Sequence, residues 1–297
     1  MSERSDPAGK IDTVTEPHPS AQAVLDTTPL TARTLFAALP EGPAADLAAE
    51  LDPTDTPLDR TALLAAARPE ATRHGREHVL REHLVLGWVR LTGGDLAHAR
   101  ERLQAVAADR AHAAYAALRP ADPSVRPVLV LLAGIPGCGK STLAESLAAR
   151  LRAPVFSMDW QLGALVPFGL LRADNQMAVA DIQLVSAAAR QLQLGLTVII
   201  DATGHTRDTR DRWRTLVENL GGDFVGVECV CTDDLLLRAR VEGRDRGIPG
   251  WHGTVEWEHV LRMRGLWEPW TEPHLVVDSA ADSPETAVRR VLDAVVK

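Results

Sequence analysis

Residues 134–141 read Gly134-Ile135-Pro136-Gly137-Cys138-Gly139-Lys140-Ser141 and separate two segments with different hydrophobic patterns. Residues 127–133 form a continuous apolar run, which is typical of a buried parallel strand. Residues 141–148 have the spacing of a helix. A strand, a glycine-rich loop and a helix N-terminus in this order gather backbone N–H groups into a cradle for anions. The stretch therefore predicts an α/β fold with a parallel sheet and a phosphate site beside its first strand.

Lys140 completes the phosphate-loop pattern G-x-x-x-x-G-K-[ST], in which the lysine contacts the β- and γ-phosphates and the Ser or Thr hydroxyl ligates Mg²⁺. Lysine is rare in this chain, because the other two, Lys10 and Lys297, lie near the termini and all remaining cations are arginines. A lysine kept at this position indicates a need for a compact positive charge. We therefore predict that the chain binds ATP, with Mg²⁺ held by Ser141.

Length and composition indicate an ordinary globular chain. With 297 residues, of which 45% are hydrophobic, it can form two domains. Three cysteines provide no disulfide framework, and no apolar run reaches membrane-spanning length, so we expect a cytoplasmic protein without a membrane partner. The formal net charge of −8 gives no general attraction to phosphate backbones and disfavours nucleic acid as a partner.

The N-terminal third has a helical pattern. Residues 1–28 are polar and proline-rich and predict a flexible tail, residues 29–119 predict a smaller all-helical domain, and residues 120–127 predict a stiff linker before the P-loop domain at 128–297. The predicted helices of the small domain are Leu30–Leu39, Pro43–Leu51, Asp59–Ala67, Ala71–Leu91 and Asp95–Leu118.

Strands and helices alternate after the linker, as a parallel sheet with flanking helices requires. The predicted strands after the first are 155–157, 196–200, 224–230 and 274–278. The predicted helices after the phosphate loop are 175–194, 207–220, 232–244, 254–266 and 283–296. The carboxyl ends of parallel strands share one edge of the sheet, so we expect the functional side chains at that edge.

Two aspartates end strands beside the phosphate loop. Asp159 follows the second strand and Asp201 ends the third. Phosphoryl transfer needs one carboxylate to orient the acceptor hydroxyl and another to hold Mg²⁺. We assign Asp159 to the acceptor and Asp201 to the metal. Arg240 and Arg244 lie four residues apart on one helical face, where they could close over ATP and stabilise charge on the moving phosphoryl group.

These residues together resemble the P-loop kinases grouped with polynucleotide 5′-hydroxyl kinases, zeta toxins and chloramphenicol phosphotransferases. The resemblance covers residues 128–278 and implies a small kinase-type fold with an AAA-type ATP-binding domain. It implies that Asp159 is the general base, that Arg240 and Arg244 lie in a lid, and that Thr203 and Arg210 lie near the nucleotide. The predicted nucleotide-binding residues are Gly134, Pro136, Gly137, Cys138, Gly139, Lys140, Ser141, Thr142, Thr203 and Arg210.

The acceptor segment departs from that family. Polynucleotide kinases of this type usually carry an arginine shortly after the base aspartate, whereas Asp159 is followed by Trp160 and a mostly apolar run to Phe168. This favours a small, partly hydrophobic acceptor without a phosphate, and we name Trp160 and Trp251, both in predicted loops, as candidate substrate contacts. The sequence therefore predicts a kinase that phosphorylates a hydroxyl of a metabolite or antibiotic-like molecule.

Several alternatives remain open. The nearest are a 5′-hydroxyl polynucleotide kinase and a zeta-toxin-like nucleotide-sugar kinase, and a more distant one is a binding module switched by ATP. A regulatory GTPase would need an Asn-Lys-x-Asp element, which neither Lys10 nor Lys297 supplies. Mechanochemical ATPases usually place a glutamate after the metal aspartate, whereas Ala202 follows Asp201. Residues 74–78 match the zinc pattern H-x-x-E-H, but their charged surroundings favour an exposed helical face.

Overall fold

The structure is a computed structural model that describes residues 16–169, 171–172, 175–242, 247–250 and 255–296. The chain divides into two compact units, residues 1–110 and 111–297. This division lies earlier in the chain than the linker expected at 120–127, and residues 111–127 belong to the second unit.

The first unit is helical. Its core is built from buried leucines and valines, among them Leu35, Leu47, Leu63, Leu84 and Val85. The helices are α1 (Pro19–Leu25), α2 (Ala32–Ala37), α3 (Pro43–Ala49), α4 (Arg60–Arg73), α5 (Arg81–Leu91) and α6 (Leu96–Ala116), and Arg110 at the end of the unit lies within α6. The prediction of a helical N-terminal region is confirmed.

The expected flexible tail contains a packed helix. In α1, Ala21, Val24 and Leu25 are at most 2% exposed and belong to the core of the first unit. Their spacing of three and four residues places them on one helical face, so their burial stabilises a helix that the polar, proline-rich composition did not suggest. The expectation of a tail is therefore wrong for residues 19–25.

The helix predicted over Ala71–Leu91 is interrupted. The first part, α4, ends at Arg73 and α5 begins at Arg81. Gly75 adopts φ +62°, and the backbone N–H of Leu80 donates to Nδ1 of His83 (2.9 Å), so a side chain caps the second helix. The H-x-x-E-H segment consequently lies mostly in the connection and not on a helix. Within the described ranges, no three His, Cys, Asp or Glu side chains form a metal-binding group.

The second unit contains a parallel sheet. Its strands are β1 (Val128–Ala133), β2 (Val155–Ser157), β3 (Val198–Asp201), β4 (Asp223–Val230) and β5 (Leu275–Asp278). They pair in parallel in the order β2-β3-β1-β4-β5. The predicted α/β fold with a parallel sheet and flanking helices is confirmed. Because β1 has β3 on one side and β4 on the other, the chain changes direction across the sheet beside β1, where open α/β sheets bind ligands.

The helices of the second unit follow the predicted pattern with one addition. They are α7 (Lys140–Leu151), α8 (Met158–Leu165), α9 (Gln176–Gln193), α10 (Arg207–Asn219), α11 (Asp234–Val241), α12 (Trp257–Gly265) and α13 (Pro284–Val295). The addition is α8, which begins directly after β2 and leads into a 3₁₀ turn at Val166–Phe168. None of the helices within the described residues is long and apolar enough to cross a membrane.

Alternate residues of β1 point to two separate apolar layers. Val130 and Leu132 belong to a core with residues of α7, α11 and α13, whereas Leu129 and Leu131 belong to a core with residues of α9 and α10. All four side chains are fully buried. This burial on both faces explains why β1 reads as a continuous apolar run, and it holds the phosphate loop at a rigid position.

Candidate functional site

The loop between β1 and α7 depends on its glycines. Gly137 and Gly139 adopt φ angles of +88° and +95°, a left-handed backbone conformation that residues with a Cβ rarely adopt. At Gly137 an added Cβ would also lie 2.6 Å from a methyl carbon of Val241. These two positions turn the chain so that α7 begins at Lys140, with its unpaired N–H groups at the carboxyl end of the sheet.

Lys140 folds back over the loop. Its Nζ donates to the carbonyl oxygens of Gly134 (2.7 Å) and Ile135 (3.0 Å). Burial alone would lower the pKa of this ammonium group, but the sulfur of Cys138 and the carboxylates of Asp201 and Asp159 hold its pKa above the ordinary value. Lys140 is therefore a fixed cation at the loop, and both predicted strand-end aspartates act on it.

Ser141 and Asp201 form a pair of hard oxygen ligands. The hydroxyl of Ser141 donates to Oδ2 of Asp201 at 2.8 Å, and Asp201 is only 6% exposed. An octahedral Mg²⁺ with Mg–O distances of about 2.1 Å places neighbouring ligand atoms roughly 3 Å apart. The donor set and its spacing thus fit Mg²⁺ completed by water and phosphate oxygens, which is how this ion is usually held in phosphoryl-transfer sites.

The segment after β3 supports the loop from the side. The carbonyl oxygen of Thr203 accepts from the N–H of Gly134 at 3.0 Å, so Thr203 is tied to the first residue of the phosphate loop. This contact brings the two predicted residues together through backbone atoms.

Arg210, which was expected near the nucleotide, is buried among protein groups. Its side chain is fully buried, and its guanidinium donates to the carbonyl oxygens of Gly204, Glu268 and Pro269 and lies 4.6 Å from the ring centre of Trp270. A guanidinium engaged in this way joins the loop after β3 to the segment after α12. The structure therefore places the Arg210 guanidinium among protein carbonyls, and the expected position near the nucleotide stays a prediction.

Asp159 and Trp160 lie at the start of α8. Asp159 is partly buried in the first helical turn, where a carboxylate is favoured by the helix dipole, and its charge reaches Lys140. Trp160 lies on the same helix and not in a loop as predicted, and it is 57% exposed. The residues that follow Asp159 include further apolar side chains with large exposed fractions, which are Val166 (43%), Phe168 (73%) and Met177 (55%).

Gly250, which lies beyond α11 in the chain, contacts α8. A Cβ added to Gly250 would lie 2.5 Å from the carbonyl oxygen of Gly163 and about 3.1 Å from the ring of Pro167, so the backbone at Gly250 packs directly on α8 and its 3₁₀ turn. The predicted lid residue Arg244 and the candidate substrate contact Trp251 lie outside the described residues, and their roles stay predictions.

A cavity of about 400 Å³ opens on the other side of the phosphate loop. Arg240 lines it from the last turn of α11, and Thr142, another predicted nucleotide-binding residue, lines it from the first turn of α7. The remaining wall is largely apolar or thiol-bearing and comes from the phosphate loop, α7, β4, β5 and α13; its residues include Cys138, Leu143, Cys229, Val277, Ala287 and Val288. The cavity therefore lies directly beside the phosphate loop and is suited to an apolar, planar group.

Two further residues of this pocket were missed by sequence reasoning. Ser279 and Asp282 follow β5 and line the cavity. The rule that identified Asp159 and Asp201, polar residues at the carboxyl ends of strands, applies equally to β5 and could have found them. Three other tryptophans contribute to packing, because Trp257 packs against one apolar layer and Trp267 and Trp270 against the other.

A family comparison agrees with the phosphate loop and the sheet. Residues 129–268 match the model of a family described as an AAA domain. The matched range contains β1 to β4, the phosphate loop and all predicted site residues of the second unit. This similarity agrees with the AAA-type P-loop domain that the resemblance implies.

Solved structures with a similar arrangement have low sequence identity. The APS kinase CysC of Mycobacterium tuberculosis, in complex with AMPPNP and APS, has 20% identity and a TM-score of 0.44, with 58% of this chain and 99% of that chain covered. Kti12 of Chaetomium thermophilum, in complex with ADP-AlF3, has 17% identity and a TM-score of 0.43, with 56% and 98% covered. A gluconokinase from Sinorhizobium meliloti 1021 has 18% identity and a TM-score of 0.42, with 58% and 93% covered. No curated protein matches the chain.

Proposed function

We propose that this protein is an ATP- and Mg²⁺-dependent kinase that transfers the γ-phosphoryl group of ATP to a hydroxyl of a small molecule. The observation that carries the proposal is the convergence of Lys140, the Ser141–Asp201 pair and Asp159 at one edge of the sheet. Charge neutralisation and positioning are what phosphoryl transfer requires of a protein. The arrangement supplies both within one site.

The triphosphate tail is bound by the phosphate loop. Lys140 presently donates to two loop carbonyls, and the β- and γ-phosphate oxygens of ATP offer it stronger, charged acceptors. The N–H groups at the start of α7 bind the same oxygens. When bound at Ser141 and Asp201, Mg²⁺ would neutralise further charge on the phosphates.

The base of ATP is bound in the cavity beside the loop. Its volume of about 400 Å³ is within the range of small-ligand pockets. Arginine side chains stack on aromatic rings, and Arg240 is the guanidinium at this wall. This position favours a contact of Arg240 with the base, whereas the sequence suggested charge neutralisation at the γ-phosphate.

Asp159 acts at the acceptor. Its carboxylate orients the acceptor hydroxyl and takes its proton while the hydroxyl oxygen bonds to the γ-phosphorus. The bond between that phosphorus and the β–γ bridging oxygen breaks, and ADP leaves. The exposed apolar side chains of Trp160, Phe168 and Met177 follow Asp159 in the chain and support an acceptor with apolar surface.

The test is transfer of labelled γ-phosphate from ATP into fractionated cell extract, with a panel of 5′-hydroxyl oligonucleotides in parallel. We expect label in a small-molecule fraction. Label in the oligonucleotides, decreasing steeply with salt, would instead identify a polynucleotide kinase. ATP binding without transfer to either acceptor would contradict a kinase and favour a nucleotide-switched binding module.

A further inference from the structure

Ser279 holds the guanidinium of Arg240 through two hydrogen bonds. Nη1 of Arg240 donates to Oγ of Ser279 at 2.7 Å, and Nη2 donates to the carbonyl oxygen of Ser279 at 3.2 Å. Two donors of one planar group that are bound to a single residue fix the orientation of the plane. The direction of the Arg240 side chain is therefore set by a residue outside its own helix.

Ser279 is itself fixed to the sheet. Its backbone N–H donates to the carbonyl oxygen of Val230 at 2.9 Å, and its hydroxyl donates to the same oxygen at 3.2 Å. Because the hydroxyl hydrogen is directed at Val230, the oxygen lone pairs are left to accept from Arg240. The serine thus links the end of β4 to Arg240 with each group in its proper donor or acceptor role.

The contact lies at the junction of the phosphate loop and the cavity. A Cβ added to Gly139 would lie 3.4 Å from Cβ of Ser279, so this serine packs beside the last glycine of the loop. Ser279 and Arg240 both line the cavity. The guanidinium of Arg240 is therefore held where the phosphate loop meets the cavity.

We propose that Ser279 is a positioning residue for nucleotide binding: it holds Arg240 as a preoriented wall on which the base stacks. This inference rests on the proposed function, because it assumes that ATP is the ligand of the site. A guanidinium oriented before binding loses less conformational freedom when the base arrives, so the serine strengthens binding without touching the phosphates. The effect is specific for ligands that carry a base.

The experiment compares two ligands by titration calorimetry in the presence of Mg²⁺. ATP uses both the loop and the cavity, whereas inorganic tripolyphosphate uses the loop alone. The variants are Ser279→Ala, which removes the hydroxyl, and Ser279→Thr, which retains it. The matched control is Thr232→Ala, which removes an exposed hydroxyl at the same sheet edge, where Oγ1 of Thr232 donates to Oδ2 of Asp278 at 2.6 Å.

We expect Ser279→Ala to weaken ATP binding by up to about tenfold, the cost of ordering one long side chain on binding, and to leave tripolyphosphate binding unchanged. Ser279→Thr should restore ATP affinity, and Thr232→Ala should bind both ligands like the wild type. Equal weakening of both ligands, no weakening of ATP, or a loss that threonine does not restore would each overturn the inference. A wild-type protein that binds neither ligand would instead overturn the proposed function.

Discussion

The two halves of the candidate site differ in how they are built. The nucleotide half is charged, and hydrogen bonds hold its side chains in place. Lys140 donates to two carbonyl oxygens, Ser141 to Asp201, and Arg240 to Ser279. The acceptor half combines one carboxylate, Asp159, with apolar side chains that are largely exposed. A polar site with fixed groups is suited to one invariant ligand, the triphosphate, whereas an exposed apolar surface binds ligands mainly through shape and buried apolar area.

We infer that the apolar half determines specificity for the acceptor. Shape and apolar contact discriminate among acceptors, while charge and backbone N–H groups bind the common phosphate donor. Substitutions in the nucleotide half should therefore affect every substrate, and substitutions in the acceptor half should affect one class of acceptor. The following predictions separate the halves, beginning with the largest effect.

Lys140→Ala should remove both ATP binding and transfer. The substitution takes away the cation that contacts the β- and γ-phosphates, and we expect transfer to fall by about 10³-fold or more. ATP affinity and transfer rate are measured on the same preparation. The control is Arg150→Ala, which removes an exposed cation from the same helix and should change neither quantity. ATP affinity near the wild-type value in the lysine variant would contradict this role.

Asp159→Asn should separate the halves most clearly. It preserves the size of the side chain but removes the base, so transfer should fall by about 10² to 10³-fold while ATP affinity is unchanged. Calorimetry and labelled-phosphate transfer measure the two quantities. The matched control is Asp208→Asn, an exposed acid in the first turn of α10. Turnover like the wild type in the Asp159 variant would exclude this residue as the base.

Substitution of two glycines that have positive φ angles compares the backbone of the nucleotide half with that of the acceptor half. Gly137→Ala adds backbone strain and a clash with Val241, and should lower ATP affinity by more than about tenfold. Gly169→Ala, in the acceptor half at φ +61°, meets no atom within 4 Å, so its cost is the backbone strain alone, about 1 kcal/mol. Equal ATP affinities in the two variants would show that the shape of the phosphate loop is unimportant.

Trp160→Ala should leave nucleotide binding almost unchanged and weaken acceptor binding moderately. Loss of an exposed indole beside Asp159 is expected to raise KM for the acceptor about tenfold and to leave KM for ATP unchanged. Leu194→Ala, which truncates another exposed apolar side chain at the end of α9, is the control. An equal rise in KM for ATP would place Trp160 in the nucleotide half.

The sequence predicted the parts of the site that depend on local pattern. The apolar run of β1, the glycines of the loop, and the strand ends at Asp159 and Asp201 each follow from neighbouring residues, and the structure joins Ser141 of the loop to Asp201 by a hydrogen bond. The same strand-end rule could have marked Ser279 as a site residue, but its contact with Arg240 could not be predicted from neighbouring residues. Prediction of that contact requires knowing that β5 lies beside β4, and strand order is set by packing across the whole sheet.

The departures have equally physical causes. The helix α8 was missed because its residues are nearly all apolar and show no amphipathic period, although Asp159 favours a helix start. Arg210 was expected near the nucleotide because the family resemblance implied that position. Its burial depends on carbonyl groups of residues 204, 268 and 269, which are far apart in the chain and cannot be recognised from the sequence around Arg210.

The most direct test is a crystal structure of the protein with Mg²⁺ and a non-hydrolysable ATP analogue. We predict the β- and γ-phosphates within the ring of N–H groups of residues 137–141, with Nζ of Lys140 moved from the carbonyls of Gly134 and Ile135 onto phosphate oxygens, and the base in the cavity against Arg240. A nucleotide bound elsewhere, or a phosphate loop in which Lys140 keeps its present contacts while the analogue is bound, would contradict this prediction.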